Sequence, residues 1–483
     1  MTRKKQFGRL AEWGFRSLRG WAGCAGVVLA VVAAWGGGAR GAEAGLVGTD
    51  TNCIVVMISV DGLAAFYFDD PKAEMPTIRA LAAAGAHASM MKSVTPTVTW
   101  PNHTTLVTGV TPARHGVVGN NYLDRATGQR VVLISDPVFD KEAIVKVPTI
   151  YDLAKAAGFK TAAVRWPATR NAPTLDWTIP DVGTAKLAQR YTTPSLLAEA
   201  NGAGIPILGK HGHTAPRDDI CTPVFNLILR QHRPQLALLH LVDVDHTQHL
   251  SGPRSPEAYA AIKKADGQVR AVWEELKRDF PGRATLFVVS DHGFSPIKRV
   301  ILPNVVLRKA GLVSVRGGKV SGGAVRTITQ GGSLMVYITD ETRQAEVVGK
   351  VRQAVQGLTG VADIIGPDQL AAYGVADPKQ DPHAPDMILF AEEGFTFGDT
   401  AAGDLPFNEK PERKGSHGHN PALPHLHAIF VAWGAGIKPG VKLGEISSLS
   451  VAPTIATLLG LTIPNVEGKP LEEVLAGGRQ KEE

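Results

Sequence analysis

Three short, mostly apolar runs lead into acidic side chains, and this pattern constrains the chain more than any other. Ile54–Val60 runs directly into Asp61, and Ala284–Ser290 runs directly into Asp291 and His292. Leu236–Val242 is followed closely by Asp245 and His249. Runs of this length and character read as strands buried on both faces of a parallel sheet. Thr161–Val164 and Ala428–Trp433 are of the same kind, and helical stretches at Met75–Ala84, Thr149–Ala157, Pro256–Arg278 and Ser450–Leu459 lie between them. The alternation predicts an α/β fold with a mainly parallel central sheet flanked by helices. The stretch 297–414 breaks the pattern with Gly-Gly pairs, an alternating run at Gly332–Ile338 and a helix-like Thr342–Leu358. We expect a small α+β insertion there, between core segments 45–296 and 415–483.

In an open α/β sheet the carboxyl ends of the strands line the ligand crevice. Asp61, Asp245, His249, Asp291 and His292 therefore collect at one edge. His417 lies in Gly415-Ser416-His417-Gly418-His419, ahead of the Ala428 strand, where a loop could fold over the same edge. Asp and His suit zinc and similar divalent ions. Three crowded carboxylates repel one another unless cations sit among them. Any one of these residues alone is as well explained as a turn or helix cap, but their joint placement at strand ends is not.

The run Thr97-Val98-Thr99-Trp100-Pro101-Asn102-His103 supplies a second element. Pro101 suits a first helical turn, so Thr99 sits at or just before a helix start, where backbone N–H groups favour an anion. A hydroxyl there is a candidate nucleophile once a cation lowers its pKa. Without the acidic cluster Thr99 would read as a helix cap. His103 and His115 read as hydrogen-bonding turn residues and Asn121 as a turn residue. His246 and His419 sit beside better candidates. Arg165 and Trp166 either reach the pocket edge or pack.

The chain has 483 residues and a formal charge of +6. Segment 1–44 has a basic start, an uncharged stretch Gly20–Gly38 and small residues at Ala42 and Ala44, the layout of a signal peptide. Its apolar core is short for a membrane span, so we expect cleavage, export to the periplasm or exterior, and no stable membrane anchor afterwards. Setting aside its seven basic and two acidic residues leaves +1 from totals of 51 and 45. That balance gives no reason to expect specific nucleic-acid binding. Cys53 opens a strand and Cys221 a helix, at opposite ends of an α/β layer, so no disulfide is expected between them.

The chain resembles the nucleotide pyrophosphatase/phosphodiesterase family of the alkaline phosphatase superfamily. The matching runs are Ser59-Val60-Asp61-Gly62, Thr99-Trp100-Pro101-Asn102-His103, Leu106-Val107-Thr108-Gly109 and His115-Gly116-Val117-Val118-Gly119-Asn120-Asn121. They continue with Asp245 and His249, Ser251-Gly252-Pro253, Ser290-Asp291-His292-Gly293, His417-Gly418 and Ala452-Pro453-Thr454-Ile455. The resemblance implies an alkaline phosphatase-like fold and hydrolysis of phosphodiester or pyrophosphate bonds through a phospho-threonine on Thr99. It implies two divalent ions, zinc by preference. Asp61, Thr99, Asp291 and His292 would hold one, and Asp245, His249 and His417 the other. Asn120 would donate to a phosphoryl oxygen.

The implied substrate is a small phosphate ester, with a nucleotide as one candidate. Trp100 occupies the family's first stacking position and His240 the second, which makes both expected substrate contacts. Related monoesterases carry a Lys-x-Arg pair that Ala163-Val164-Arg165-Trp166-Pro167 lacks. A monoesterase or phosphonate hydrolase on the same scaffold is the alternative. A noncatalytic metal-binding surface protein is a further one, from another class.

Overall fold

The computed structural model describes residues 53–135, 139–207 and 215–477. The expected export signal at 1–44 lies outside them. An eight-stranded sheet runs in the order Val441–Ser447, Ala86–Lys92, Phe430–Gly434, Ala284–Val289, Ile54–Val60, Leu236–Leu241, Thr161–Val164, Trp177–Ile179. The five strands from Ala284–Val289 to Trp177–Ile179 are mutually parallel. Phe430–Gly434 is antiparallel to both its neighbours, and the edge pair beyond it is parallel. The fold is α/β with a mainly parallel sheet, as expected.

Alternation along Ile54–Val60 feeds two separate cores. Ile54, Val56 and Ile58 pack with Ile262, Val269 and Leu276 of helix Pro256–Asp279 and with Phe225 and Ile228 of helix Asp218–His232. Val55 and Met57 pack on the other face with Ile150, Leu106, Val107, Val451 and Ile455. Covering both faces is what permits an uninterrupted apolar strand at the centre.

Register decides what the strand ends bring together. Ser59 lies opposite His240 on one side and Val289 on the other. Two residues on from Ser59 is Asp61, and two on from Val289 is Asp291, so both carboxylates leave the sheet at the same level.

Residues 295–416 add further sheets. Ser295–Ile301 pairs with Gly394–Phe397, Phe407–Asn408 and Gly415–Ser416. An antiparallel sheet joins Val325–Gln330, Ser333–Ile338, Met387–Ala391 and Val361–Ile365. Helix Gln344–Val355 seats Val347, Val351 and Val355 in this region's own apolar core. The region belongs to the same compact unit as the main sheet. Cys53 and Cys221 are not joined by a disulfide. Among the described residues no helix is long and apolar enough to cross a membrane.

Candidate metal centre and active site

Asp61 follows its strand directly, and Asp291 and His292 follow theirs after Ser290. Gly62 N–H donates to Asp291 Oδ1 at 3.1 Å, tying the two strand ends together. Asp245 and His249 lie on helix Asp243–Ser251, which starts where Leu236–Leu241 ends. The carboxylate of Asp218 accepts from Val242 N–H (2.8 Å) and Asp243 N–H (3.0 Å), so a buried acid from the preceding helix caps this one.

His417 reaches the edge because its loop is stitched to the segment ahead of Thr99. His417 Nδ1–H donates to Thr97 O at 3.0 Å, and Thr97 Oγ1 donates to His419 O at 2.8 Å. Asn102 fixes the same segment, donating from Nδ2 to Pro96 O and Val98 O and accepting from Val94 N–H. Thr99 is the first residue of helix Thr99–Thr108, which ends at Gly109 in the left-handed region (φ 69°). Its carbonyl accepts from His103 Nδ1 at 2.9 Å, and that nitrogen lies 3.4 Å from Asp291 Oδ2.

The donor atoms converge as a divalent cation requires. His249, His292 and His417 each give Nδ1–H to a backbone carbonyl, those of Gly415, Gly293 and Thr97. This fixes the tautomer and leaves every Nε2 with a bare lone pair. His249 Nε2 and His417 Nε2 each stand 3.4 Å from Asp245 Oδ1. His292 Nε2 stands 3.4 Å from Asp61 Oδ1 and 3.2 Å from Asp291 Oδ2. Asp61 Oδ1, Asp245 Oδ1, Asp291 Oδ2 and His292 Nε2 are all buried without a hydrogen-bond partner. Buried polar atoms are rarely left so, and the four residues belong to two clusters of converging donor atoms that share His292. Burial pushes the Asp61 carboxyl well above its usual range, and the charges of Asp291 and Asp245 push it further. Burial holds His417 well below the ordinary histidine value, followed by the effect of His292 and His249. Cations among these atoms would reverse the repulsion, so the residues fit the ions.

The donor atoms fall into two clusters. Two groups form, Asp61 with Asp291 and His292, and Asp245 with His417 and His292. His292 is common to both, and its ring stacks on His417 with centroids 3.7 Å apart.

Asn120 lies beside the helix start. Its Oδ1 accepts from Trp100 N–H at 2.9 Å, so its Nδ2 hydrogens face away from that bond. Asn120, Val98, His249 and His417 line a cavity of about 430 Å³, together with Ile297, Val300, Phe397 and Arg413. Gln330 also lines it and was not foreseen. Its Oε1 accepts from Asn120 N–H at 3.1 Å, and its Nε2 donates to Asn121 O. Its position, just ahead of Gly331 and Gly332, marked a turn but carried no sign of this contact.

Two expected substrate contacts are corrected. His240 is 1% exposed, with Nδ1 at 2.9 Å from Arg165 O and Nε2 at 2.9 Å from Asp61 Oδ2. It stands behind Asp61, and no face of its ring is available for stacking. Trp100 is 3% exposed and packs against Val117, Val118, Tyr122 and Leu133. Being second in its helix turns it into the protein instead of toward the crevice. Arg165 and Trp166 pack too: Arg165 pairs with Asp181, and Trp166 is fully buried.

The contact between His240 and Asp61 needs a proton. Nδ1 faces a carbonyl and so carries a hydrogen, which leaves Nε2 bare in the neutral ring. Burial lowers His240 to about 3 and raises Asp61. One proton is thus shared across the contact between His240 Nε2 and Asp61 Oδ2.

Residues 55–420 match the family model of type I phosphodiesterase / nucleotide pyrophosphatase. The chain belongs to this family. Human ectonucleotide pyrophosphatase/phosphodiesterase family member 1 is 26% identical over 421 residues, 84% of this chain and 40% of its own length. The venom phosphodiesterase of Macrovipera lebetinus is 27% identical over 246 residues, 50% of this chain and 26% of its own. The chain thus spans well under half of these type I phosphodiesterase relatives. The murine ectonucleotide pyrophosphatase/phosphodiesterase 5, solved in an inactive form with AMP, shares the fold with a TM-score of 0.67 at 20% identity, covering 88% of this chain and 100% of that one.

Proposed function

We propose that this chain hydrolyses phosphodiester or pyrophosphate bonds, with the Thr99 hydroxyl as nucleophile and two divalent cations, zinc by preference, held by Asp61, Thr99, Asp291 and His292 and by Asp245, His249 and His417, with His292 between the two groups. The observation that carries this reading is the set of orphaned lone pairs on Asp61, Asp245, Asp291 and His292, gathered beside the helix that Thr99 opens. When bound, the cations would supply positive charge that favours the ionised hydroxyl and neutralises phosphoryl oxygens.

The Thr99 oxygen forms a bond to phosphorus as the bond to the leaving oxygen breaks. The leaving group departs with the electron pair and takes up a proton. Water then attacks the phospho-threonine, releasing the phosphoryl product and restoring the hydroxyl. Asn120, its oxygen engaged by Trp100 N–H, offers its Nδ2 hydrogens to a non-bridging oxygen. The leaving group occupies the cavity against Val98, Ile297, Val300 and Phe397, a wall that replaces the buried Trp100 and His240. The AMP in the murine relative and the venom and ecto- names of others support a nucleotide-like substrate and export through segment 1–44.

The test is elemental analysis together with kinetics on bis(p-nitrophenyl) phosphate and p-nitrophenyl phosphate, for wild type and Thr99→Ala. Wild type should hold two cations and favour the diester. Thr99→Ala should keep both cations and lose turnover by at least about 1,000-fold. Equal turnover in the two proteins would remove Thr99 as nucleophile, and wild type without cations would leave a noncatalytic protein. Preference for the monoester would shift the substrate class.

A further inference from the structure

We infer that His240 is a positioning residue that holds Asp61 so that a single one of its carboxylate oxygens is offered to the metal centre. The inference rests on the two-cation reading above and adds a part the ligand set does not contain.

The chain of contacts begins in the backbone. Arg165 is held at φ 59°, with its N–H donating to Ile179 O and its Nη1 donating to Val182 O at 2.9 Å, which pins its carbonyl. That carbonyl accepts from His240 Nδ1 at 2.9 Å. His240 Nε2 then engages Asp61 Oδ2 at 2.9 Å, and Asp61 Oδ1 is left without a partner, 3.4 Å from His292 Nε2. Strand register builds this arrangement. His240 faces Ser59 across the parallel pair, and Asp61 lies two residues beyond Ser59, on the same face. The His103 ring packs on His240 at 4.2 Å between centroids and meets Trp166 edge-on, so the imidazole cannot turn.

A carboxylate free at both oxygens rotates and can present either. One whose second oxygen is fixed by a buried, doubly anchored ring presents one. Partners of this kind behind a metal ligand are worth about 10–100-fold in metal affinity or activity. Asp61 belongs to only one of the two donor groups, so the effect should fall on one cation.

The experiment titrates Zn²⁺ into metal-stripped, full-length wild type, His240→Phe and His240→Gln, in competition with a chromophoric chelator. Thermal unfolding of each apo-protein is measured alongside. Phenylalanine fills the space and cannot hydrogen-bond, while glutamine places a hydrogen-bonding amide near the Nε2 position. Wild type should bind two equivalents. His240→Phe should weaken one by about 10–100-fold and leave the other within threefold, and His240→Gln should recover at least half of that loss on a logarithmic scale. If wild type binds two equivalents and His240→Phe binds both equally well, the inference is overturned. Equal weakening of both cations with a matching fall in apo-protein Tm, unrelieved by glutamine, would make His240 a packing residue and overturn it too. If wild type binds fewer than two, the two-cation reading itself fails.

Discussion

His249 Nε2 and His417 Nε2 lie 3.2 Å apart, although each ring has its hydrogen on the other nitrogen, donated to Gly415 O and Thr97 O respectively. Two lone pairs facing each other at this distance repel, and Asp245 Oδ1 adds a third at 3.4 Å from both. Only a positive charge among them makes the arrangement favourable.

Asp245→Ala should therefore remove one cation equivalent and spare the other, because Asp61, Asp291 and His292 form a group without it. Elemental analysis of dialysed protein reads the result directly. Two equivalents in the variant would take Asp245 out of the ligand set.

Asn120 separates two roles that one substitution would confuse. Its oxygen caps Trp100 N–H, and its amide hydrogens are free for substrate. Asn120→Asp keeps the cap and removes the donor. It should unfold within about 1 kcal/mol of wild type yet lose turnover by roughly 100–1,000-fold. Asn120→Ala should lose both stability and turnover. Wild-type kinetics in Asn120→Asp would show that the amide donates nothing to the reaction.

Gly418 holds φ 91°, and a Cβ there would stand 1.8 Å from Gln330 O. The neighbouring His417 O accepts from Gly332 N–H at 2.7 Å. Gly418→Ala must push the His417 loop off the Gln330–Gly332 turn. The expected outcome is loss of the cation held by Asp245 and His417, with the Asp61 cation retained; a metal titration giving two wild-type affinities would contradict it.

Asp218 provides a pH-dependent test of stability. Burial, and after it the charge of Asp243, pushes its carboxyl up to about 6. A carboxyl raised in the folded state binds its proton more tightly there than in the unfolded chain. Stability therefore falls as pH rises from about 4 to about 6, by about 3 kcal/mol. Asp218→Asn cannot ionise, so its urea-unfolding free energy should lack this fall between pH 4 and 6. An equal slope in both proteins would assign the titration elsewhere.

Much of this was legible before the structure. Ile54–Val60 and Thr161–Val164 were readable to the residue, since strands covered on both faces have little but apolar side chains. The edge strands Ala86–Lys92 and Val441–Ser447 mix polar and apolar positions and left no comparable mark. Asp61 and Asp291 were placed by following directly on their strands. His240 was misread as a stacking residue because its motif position was weighed and its parity was not. It shares a sheet face with Leu236 and Leu238, and that face leads to Asp61. Trp100 needed knowledge of how its helix lies against Val117 and Leu133, which no local pattern contains. That His292 belongs to both donor groups was similarly out of reach, because it stands between them in space only.

Gln330 ends strand Val325–Gln330, yet both polar atoms of its side chain are spent on the backbone of Asn120 and Asn121, where strand Asn121–Asp124 begins. Residues of 297–414 thus brace the Asn120 segment as well as line the cavity beside it. Exchanging this region for a relative's version, to graft a new substrate preference, would unseat Asn120 unless the incoming module brought an amide to the same spot. On the proposed function, selectivity and reactivity would in this way be inherited together.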